Sequence, residues 1–568
     1  MTAETVSDTS ANPAPSLLSG ELLKLLGEGE KPVKTTLSLC PECRRLVLAL
    51  ILEREGRLYI RKECPVHGIE EDVYFGDASI YAKFMRFQER GKRVLAEEHS
   101  AEASELCPFS CGLCSLHENA PALVNIVVTN RCDLSCWYCF FYMERAGYLY
   151  EPSIEEIEFM AERVGKQKYP AGVQLTGGEP LLREDLVEIV RAIRDKGVPY
   201  VQLNTNGIRL AVMFLENEEK AVNYAKSLAE AGVSAIYMSF DGVTPETNWK
   251  NHYEAPFALE AFRRAELNVV LVPTLLRGVN DHELGDMIRF AGKHIEVVRG
   301  VNVQPVSFTG RASRAERERY RITIPDVMRA VEDQTSGEIP RKSWFPVPIV
   351  AKLTRLMDFI LGGDYLAWAN HPVCGAATFA IVAERDENHV PRRFIALTDF
   401  FDVEGFIEYV DELRIEVEKR GGATLLDKAR LLASIRRFVD ASKLPRDIKP
   451  ARLLAKFLLG ANIEAVKEFL KHSLLIGAMH FMDLYNYDVE RVKKCNILYA
   501  LPDGRLVPFC AFNVLPDRYR EEVQRRFSKP VTKASTREVF KYDRGKYIES
   551  ILKHPIYLSY YRGILSGL

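Results

Sequence analysis

No uncharged apolar run in the 568 residues approaches the roughly 18 that a membrane-spanning helix requires. A basic excess is also missing. Lys and Arg number 76 against 78 Asp and Glu, a net charge of −2, which argues against a dedicated nucleic-acid binder. The first residues, MTAETVSDTSANPAPS, lack the basic and then apolar blocks of a signal peptide. They read as a disordered tail over residues 1–34, and the protein reads as cytoplasmic, a setting compatible with peripheral contact at a membrane surface. Short tandem repeats are absent. What remains is an ordinary globular composition, 47% apolar, in a chain long enough for about three or four domains.

Twelve cysteines stand out against that background. In a cytosolic chain of this size, tight cysteine clusters indicate metal ligands rather than disulfides. They form four groups: Cys40, Cys43 and Cys64; Cys107, Cys111 and Cys114; Cys132, Cys136 and Cys139; and the dispersed Cys374, Cys495 and Cys510.

Residues 123–310 alternate strand-like and helix-like runs. Asn125–Thr129, Val173–Thr176, Tyr200–Asn204, Ala235–Phe240, Val269–Thr274 and Val301–Val306 are short, apolar and rich in β-branched residues. Helical stretches such as 153–164, 184–196, 216–231 and 281–291 separate them. This pattern predicts parallel strands with crossover helices, whose ligand sites collect at the carboxyl ends of the strands. Residues 35–105, with β-like runs between two Cys-Pro turns, read as a small metal ribbon. Residues 106–122 read as a cluster segment and 311–515 as an α-rich C-terminal region holding a further cluster. The last segment, 516–568, is rich in Tyr and Arg and suggests no role.

Cys132-Asp-Leu-Ser-Cys136-Trp-Tyr-Cys139 follows the first of these strands. Three thiolates leave one iron of a [4Fe-4S] cluster without a protein ligand. That iron can chelate the methionine end of S-adenosylmethionine (SAM), and electron transfer into the sulfonium then yields a 5′-deoxyadenosyl radical. The alternative is half of a structural zinc site. The spacing, with Tyr138 as the aromatic, resembles the signature of the radical SAM superfamily. Gly177-Gly178-Glu179-Pro180 is similar to that superfamily's second-strand motif, which implies that Glu179 binds the SAM ammonium. Asn204, Thr205, Asn206, Ser239 and Asp241 resemble the strand-end positions lining the SAM ribose and carboxylate, and Val303–Pro305 its adenine side. Asp241 could instead simply cap a helix, and Trp137 reads as packing. The resemblance implies a partial (β/α)6 TIM-type barrel in an α/β chain.

Cys40-Pro-Glu-Cys43 and Cys64-Pro-Val-His67 form matched knuckles for one tetrahedral zinc or iron ion, with Cys107 as an alternative to His67. Cys107, Cys111 and Cys114 repeat a three-cysteine spacing and read as a second [4Fe-4S] site, with His117 a candidate fourth ligand. Cys374, Cys495 and Cys510 read as a third, with His371 and His480 as candidates. Their alternative is burial as small apolar residues.

Long runs, among them NIVVTNRCDLSCWYCFFYMERAGYLYEP, YMSFDGVTPETNWKNH and VNVQPVSFTGRASRAERERYRITIPDV, resemble the archaeal tetraether lipid synthase family over about residues 35–515. Relatives in that family have been viewed as pterin methylases. Ile349 and Leu498 stand where the family pattern has cysteine and histidine. The resemblance implies carbon–carbon bond formation between terminal methyl groups of phytanyl chains of archaeal diether lipids, with a reductant such as ferredoxin. Two hydrogens leave per bond, so two SAM cleavages are expected. Arg436, Arg437, Arg452 and Lys456, on amphipathic helices, are candidates for contact with lipid head groups, the alternative being a solvated helix face. The competing functions are a radical SAM C-methyltransferase acting on a pterin, another lipid cross-linking reaction, and a non-enzymatic iron–sulfur electron carrier.

Overall fold

The computed structural model describes residues 23–103, 106–139, 147–309, 312–445, 471–530 and 542–565. Its first unit is a four-stranded antiparallel sheet of β1 (Lys31–Leu39), β2 (Leu46–Arg54), β3 (Arg57–Cys64) and β4 (Gly68–Phe75), paired in chain order. β1 opens at Lys31, so residues 31–34, expected in the tail, belong to the ribbon sheet. α1 (Ala78–Met85) follows, capped by Asp77.

The barrel strands are β5 (Leu123–Thr129), β6 (Gly172–Gly177), β7 (Val201–Thr205), β8 (Val233–Ser239), β9 (Val269–Val272) and β10 (Val298–Pro305). All six run parallel to their neighbours, as the alternating pattern predicts. The crossover helices are α2 (Ile154–Gly165), α3 (Leu186–Asp195), α4 (Ile208–Glu216), α5 (Glu218–Ala231), α6 (Ala255–Arg264) and α7 (Leu284–Lys293). α2 shows why such segments become helices. Ser153 and Glu156 form a capping box, while Ile157, Met160, Ala161 and Val164 recur at helical spacing and bury one face on the sheet.

The C-terminal region contributes more than helices. α8 (Ile324–Gln334) and α9 (Ile349–Leu361) lead to β11 (Gly375–Arg385). α10 (Val403–Arg420) and α11 (Leu425–Phe438) precede β12 (Ser473–Met479), and then come β13 (Ile497–Ala500) and β14 (Leu506–Pro508). β12 pairs parallel with β10, and β13 parallel with β5. The barrel sheet therefore reads β11-β12-β10-β9-β8-β7-β6-β5-β13-β14 along its length. Its lateral edges are covered by strands from beyond residue 310.

Buried charge ties the ribbon to this sheet. Arg321 donates to Asp483 at 2.6 Å and to Asp72 of β4 at 3.1 Å, and all three side chains are nearly inaccessible to solvent. Ile349 packs in the core of α9, α10 and α11, and Leu498 is fully buried in β13. Arg436 and Arg437 are exposed while Leu431 and Ile435 of the same helix are buried, which fits a solvated face on a core-packed helix. Arg452 and Lys456 lie outside the described residues.

Candidate functional site

Cys132, Cys136 and Cys139 line one cavity of about 580 Å³ inside the barrel. The loop that carries them is seated by two glycines. A Cβ at Gly177, where φ is +142°, would lie 2.0 Å from the Thr129 carbonyl oxygen, and one at Gly178 would lie 1.8 Å from that of Arg131. The Gly-Gly pair is thus required by close backbone approach, beyond its use as a turn. Burial raises the Cys132 thiol well above its ordinary range and pushes Cys136 up to about 12. Neutral thiols of this kind ionise when they take up metal, releasing protons.

Tyr138, Gly177, Gly178, Glu179, Asn204, Asn206 and Ser239 line the same cavity. Glu179 is fully buried. Its carboxylate accepts from the amides of Leu181 (2.9 Å) and Asn206 (2.7 Å) and from the Thr205 hydroxyl (2.7 Å). Burial, then the charge of Asp133, nonetheless pushes it up to about 8. Asp133 receives the Asn206 side-chain amide at 2.6 Å, yet its second oxygen is buried with no hydrogen-bond partner. Glu179, a carboxylate that lines the cavity with Asp133 as its charged neighbour, suits a ligand ammonium. The SAM methionine end carries one, so these residues fit that group.

Asp241, expected beside the SAM ribose and carboxylate, is buried and lies outside the cavity lining. It accepts from the Thr274 amide (2.9 Å), pairs with Lys250 (2.9 Å) and receives the Tyr138 hydroxyl. Lys250 itself lines the cavity, 4.9 Å from the Tyr138 ring centroid. Sequence reasoning missed Lys250 because it lies in no local motif. Its presence near Asp241 depends on the chain returning after β8. At the other expected segment, Asn302, Gln304 and Pro305 line the cavity and Val303 is buried in the core, as strand alternation dictates. Trp137 is half exposed and packs on Tyr138 and Tyr320.

The ribbon knuckles close on one point. His67 Nδ1 lies 3.5 Å from both Cys40 Sγ and Cys64 Sγ, and Cys43 and Cys64 sulfurs are 3.8 Å apart. All four ligand atoms fall within 4.8 Å of one another, as tetrahedral coordination requires. Cys107 is engaged elsewhere, with Cys111, so the alternative to His67 falls.

Cys107, Cys111, Cys114 and His117 line a second, smaller pocket. His117 Nε2 donates to the Cys495 carbonyl at 2.7 Å, the kind of contact that orients an imidazole for ligation through its other nitrogen.

Cys374, Cys495 and Cys510 converge as well. They lie close enough for the charge of Cys495 and Cys374 to raise the buried Cys510 thiol further. The Arg491 guanidinium donates to Cys374 Sγ (3.2 Å) and to the His480 carbonyl (2.6 Å), and the Met482 amide donates to Cys510 Sγ (3.4 Å). His480 is fully buried and neither ring nitrogen has a hydrogen-bond partner. Its backbone amide donates to the Cys374 carbonyl at 3.0 Å, which keeps it a candidate ligand beside that cysteine. The other candidate, His371, is likewise buried with its Nε2 unpartnered, but its ring gathers with Asp488 and Glu490, whose carboxylates are already neutralised by Lys34 at 3.1 and 2.9 Å.

Fold and cavity together define a radical SAM enzyme, with SAM and a [4Fe-4S] cluster as its cofactors. Residues 126–291 match the Radical SAM superfamily, and residues 32–76 match the HMPTM N-terminal zinc ribbon domain. The 7,8-dihydro-6-hydroxymethylpterin dimethyltransferase of Methanocaldococcus jannaschii is 40% identical over 507 residues, 88% of this chain and 96% of that one. The chain belongs to the family of that protein within the radical SAM superfamily. The GTP 3′,8-cyclase of Limosilactobacillus fermentum is 33% identical over 208 residues, 34% of this chain and 56% of its own. A crystal structure of a radical SAM methyltransferase from Sphaerobacter thermophilus overlaps 55% of this chain and 75% of that one at 13% identity, with a TM-score of 0.23, too low to carry an argument.

Proposed function

We propose that this enzyme forms carbon–carbon bonds at unactivated C–H positions, and that its substrate is a reduced pterin which it C-methylates. The observation that carries this reading is the 40% identity across 96% of a relative bearing that activity in its name. The cavity lining is consistent with a polar heterocycle. Gln174 donates to Asn125 at 2.7 Å, Gln202 donates to Gln174, and with Asn302 and Gln304 these amides form a polar wall along the barrel interior. When bound, the cluster and SAM supply the 5′-deoxyadenosyl radical that abstracts hydrogen. The chain's own residues hold and orient the reactants: the three thiolates ligate, Glu179 receives the ammonium, and Tyr138 and Lys250 shape the wall beside Cys136.

A second reading, coupling of phytanyl termini with an archaeal ether lipid as substrate and contact at a membrane surface, is favoured by a different part of the lining. Trp368, Met479, Phe481, Ile497, Tyr499 and Phe509 make an apolar stretch suited to a hydrocarbon chain. Among the described residues no helix is long and apolar enough to cross a membrane.

For the remaining metals, the proposal is zinc or a single iron in the ribbon, a second cluster at Cys107, Cys111 and Cys114, and a third at Cys374, Cys495, Cys510 and His480.

The test is anaerobic incubation with SAM carrying a labelled methyl group, a ferredoxin-type reductant and either the reduced pterin or an archaeal diether lipid, followed by mass spectrometry. Label in the pterin supports methylation. Lipid that loses two hydrogens per new bond, without label, would replace it with coupling.

A further inference from the structure

Residues 542–565 have no place in the barrel sheet, yet they grip one stretch of it. That stretch, 248–254, connects β8 to α6. From outside, Arg544 donates to the carbonyls of Trp249 (3.1 Å) and Lys250 (2.7 Å). The same guanidinium donates to both carboxylate oxygens of Glu254, at 2.7 and 3.0 Å, and the Tyr542 hydroxyl donates to Glu254 at 2.5 Å. The Glu254 side chain is completely inaccessible to solvent. Farther along, the Tyr561 hydroxyl donates to the His252 carbonyl (2.8 Å) and its ring stacks on His252 with centroids 4.6 Å apart.

From inside, the same stretch reaches the SAM cavity at two points. Lys250 extends to Asp241 and the Tyr138 ring. Asn251 donates to the carbonyls of Asn206 and Ser239, both at 2.7 Å, joining the ends of β7 and β8. Asn206 in turn holds Glu179 through its amide and Asp133 through its side chain. One short loop therefore has the C-terminal segment on its outer face and, through Asn206, the cavity-lining Glu179 on its inner face.

We infer that the C-terminal segment is a brace that sets the position of Lys250 and Asn251 in the SAM site, and that Arg544 is a positioning residue for SAM binding. This rests on the radical SAM reading of the site. Arg544 suits the task because its planar fork serves a carboxylate and two carbonyls at once, which a lysine ammonium cannot match. Without it, Glu254 is a buried carboxylate that has lost its cation, and the loop shifts to relieve it.

The test uses the full-length, anaerobically reconstituted protein and the variants Arg544→Ala, Arg544→Lys and Tyr542→Phe. SAM affinity is measured by equilibrium dialysis, and the change in the reduced cluster's EPR spectrum on SAM addition is recorded alongside. Arg544→Ala is expected to bind SAM about tenfold or more weakly, the usual consequence of removing an outer-shell partner. Its EPR response to SAM should be altered and its iron content kept. Arg544→Lys should fall between it and the parent, and Tyr542→Phe should show a smaller loss in the same direction. Unchanged affinity and EPR response in folded Arg544→Ala would overturn the inference. Should that variant fail to fold, unchanged affinity in Tyr542→Phe overturns it instead. A parent protein that neither binds SAM nor yields 5′-deoxyadenosine would sink the radical SAM reading separately.

Discussion

Lys250 and Asp241 are 7% and 3% exposed, so each neutralises a charge that water cannot reach. Replacing Lys250 by Met leaves Asp241 uncompensated and should cost about 3–5 kcal/mol. Urea unfolding under anaerobic conditions measures this, and adding Asp241→Asn should recover part of the loss if the two residues act as a pair. Gly178 is a steric case. Alanine there drives its Cβ into the Arg131 carbonyl, displacing the residue next to Cys132. Gly178→Ala should lower stability by about 1–3 kcal/mol and deplete the iron held by Cys132, Cys136 and Cys139. At the third cysteine group the two candidate histidines separate. His480→Ala should lower iron content by about four atoms per chain, one [4Fe-4S] cluster, whereas His371→Ala should leave it unchanged. Cys132, Cys136 and Cys139 were readable from sequence because their spacing is local. His480 was readable only as one of two candidates, because its place beside Cys374, more than a hundred residues away in the chain, is a tertiary contact.

At the scale of elements, the ribbon sheet and the C-terminal brace depend on different forces. The ribbon's four candidate ligands come from two turns, Cys40–Cys43 and Cys64–His67, so the proposed ion would pin the β1–β2 hairpin to the β3–β4 hairpin. Removing it with a chelator, or by Cys43→Ser, should loosen residues 31–75 while leaving the barrel folded. Hydrogen exchange by region checks this. The brace packs on His252 and His294. Burial lowers His252 to about 4 and His294 to about 3, against 6.5 when unfolded. Below pH 6.5 the unfolded chain therefore binds more protons, and stability is lost as pH falls from about 6.5 toward 4. The side chains around His252 include Arg544, Glu283, Tyr557 and Tyr561, and the nearby arginine opposes a second positive charge. Residues 542–565 should detach in this window before the barrel melts, with exchange at α6 and α7 rising first. The knuckles were visible in sequence as two Cys-Pro turns. The brace was not, because its Tyr and Arg residues carry no periodicity and take their role from the loop they contact.

For the molecule as a whole, the proposed metals are three clusters and one ribbon ion. Anaerobically reconstituted protein should carry about twelve irons as three [4Fe-4S] clusters, besides the ribbon metal. Loss of any one of the three cluster cysteine groups should remove about four, as metal analysis and Mössbauer spectroscopy would show.

The alternation of β-branched runs with amphipathic helices over residues 123–310 was enough to predict a parallel barrel, since both periods are local properties of the chain. The same holds for the three-cysteine loop and the Gly-Gly pair behind it. Only tertiary structure decided that β12 and β13 flank the barrel strands. It also paired Asp241 with Lys250 and set the His480 amide on the Cys374 carbonyl. Except for Asp241 and Lys250, nine residues apart, these are contacts between segments distant in the chain, so no local pattern records them.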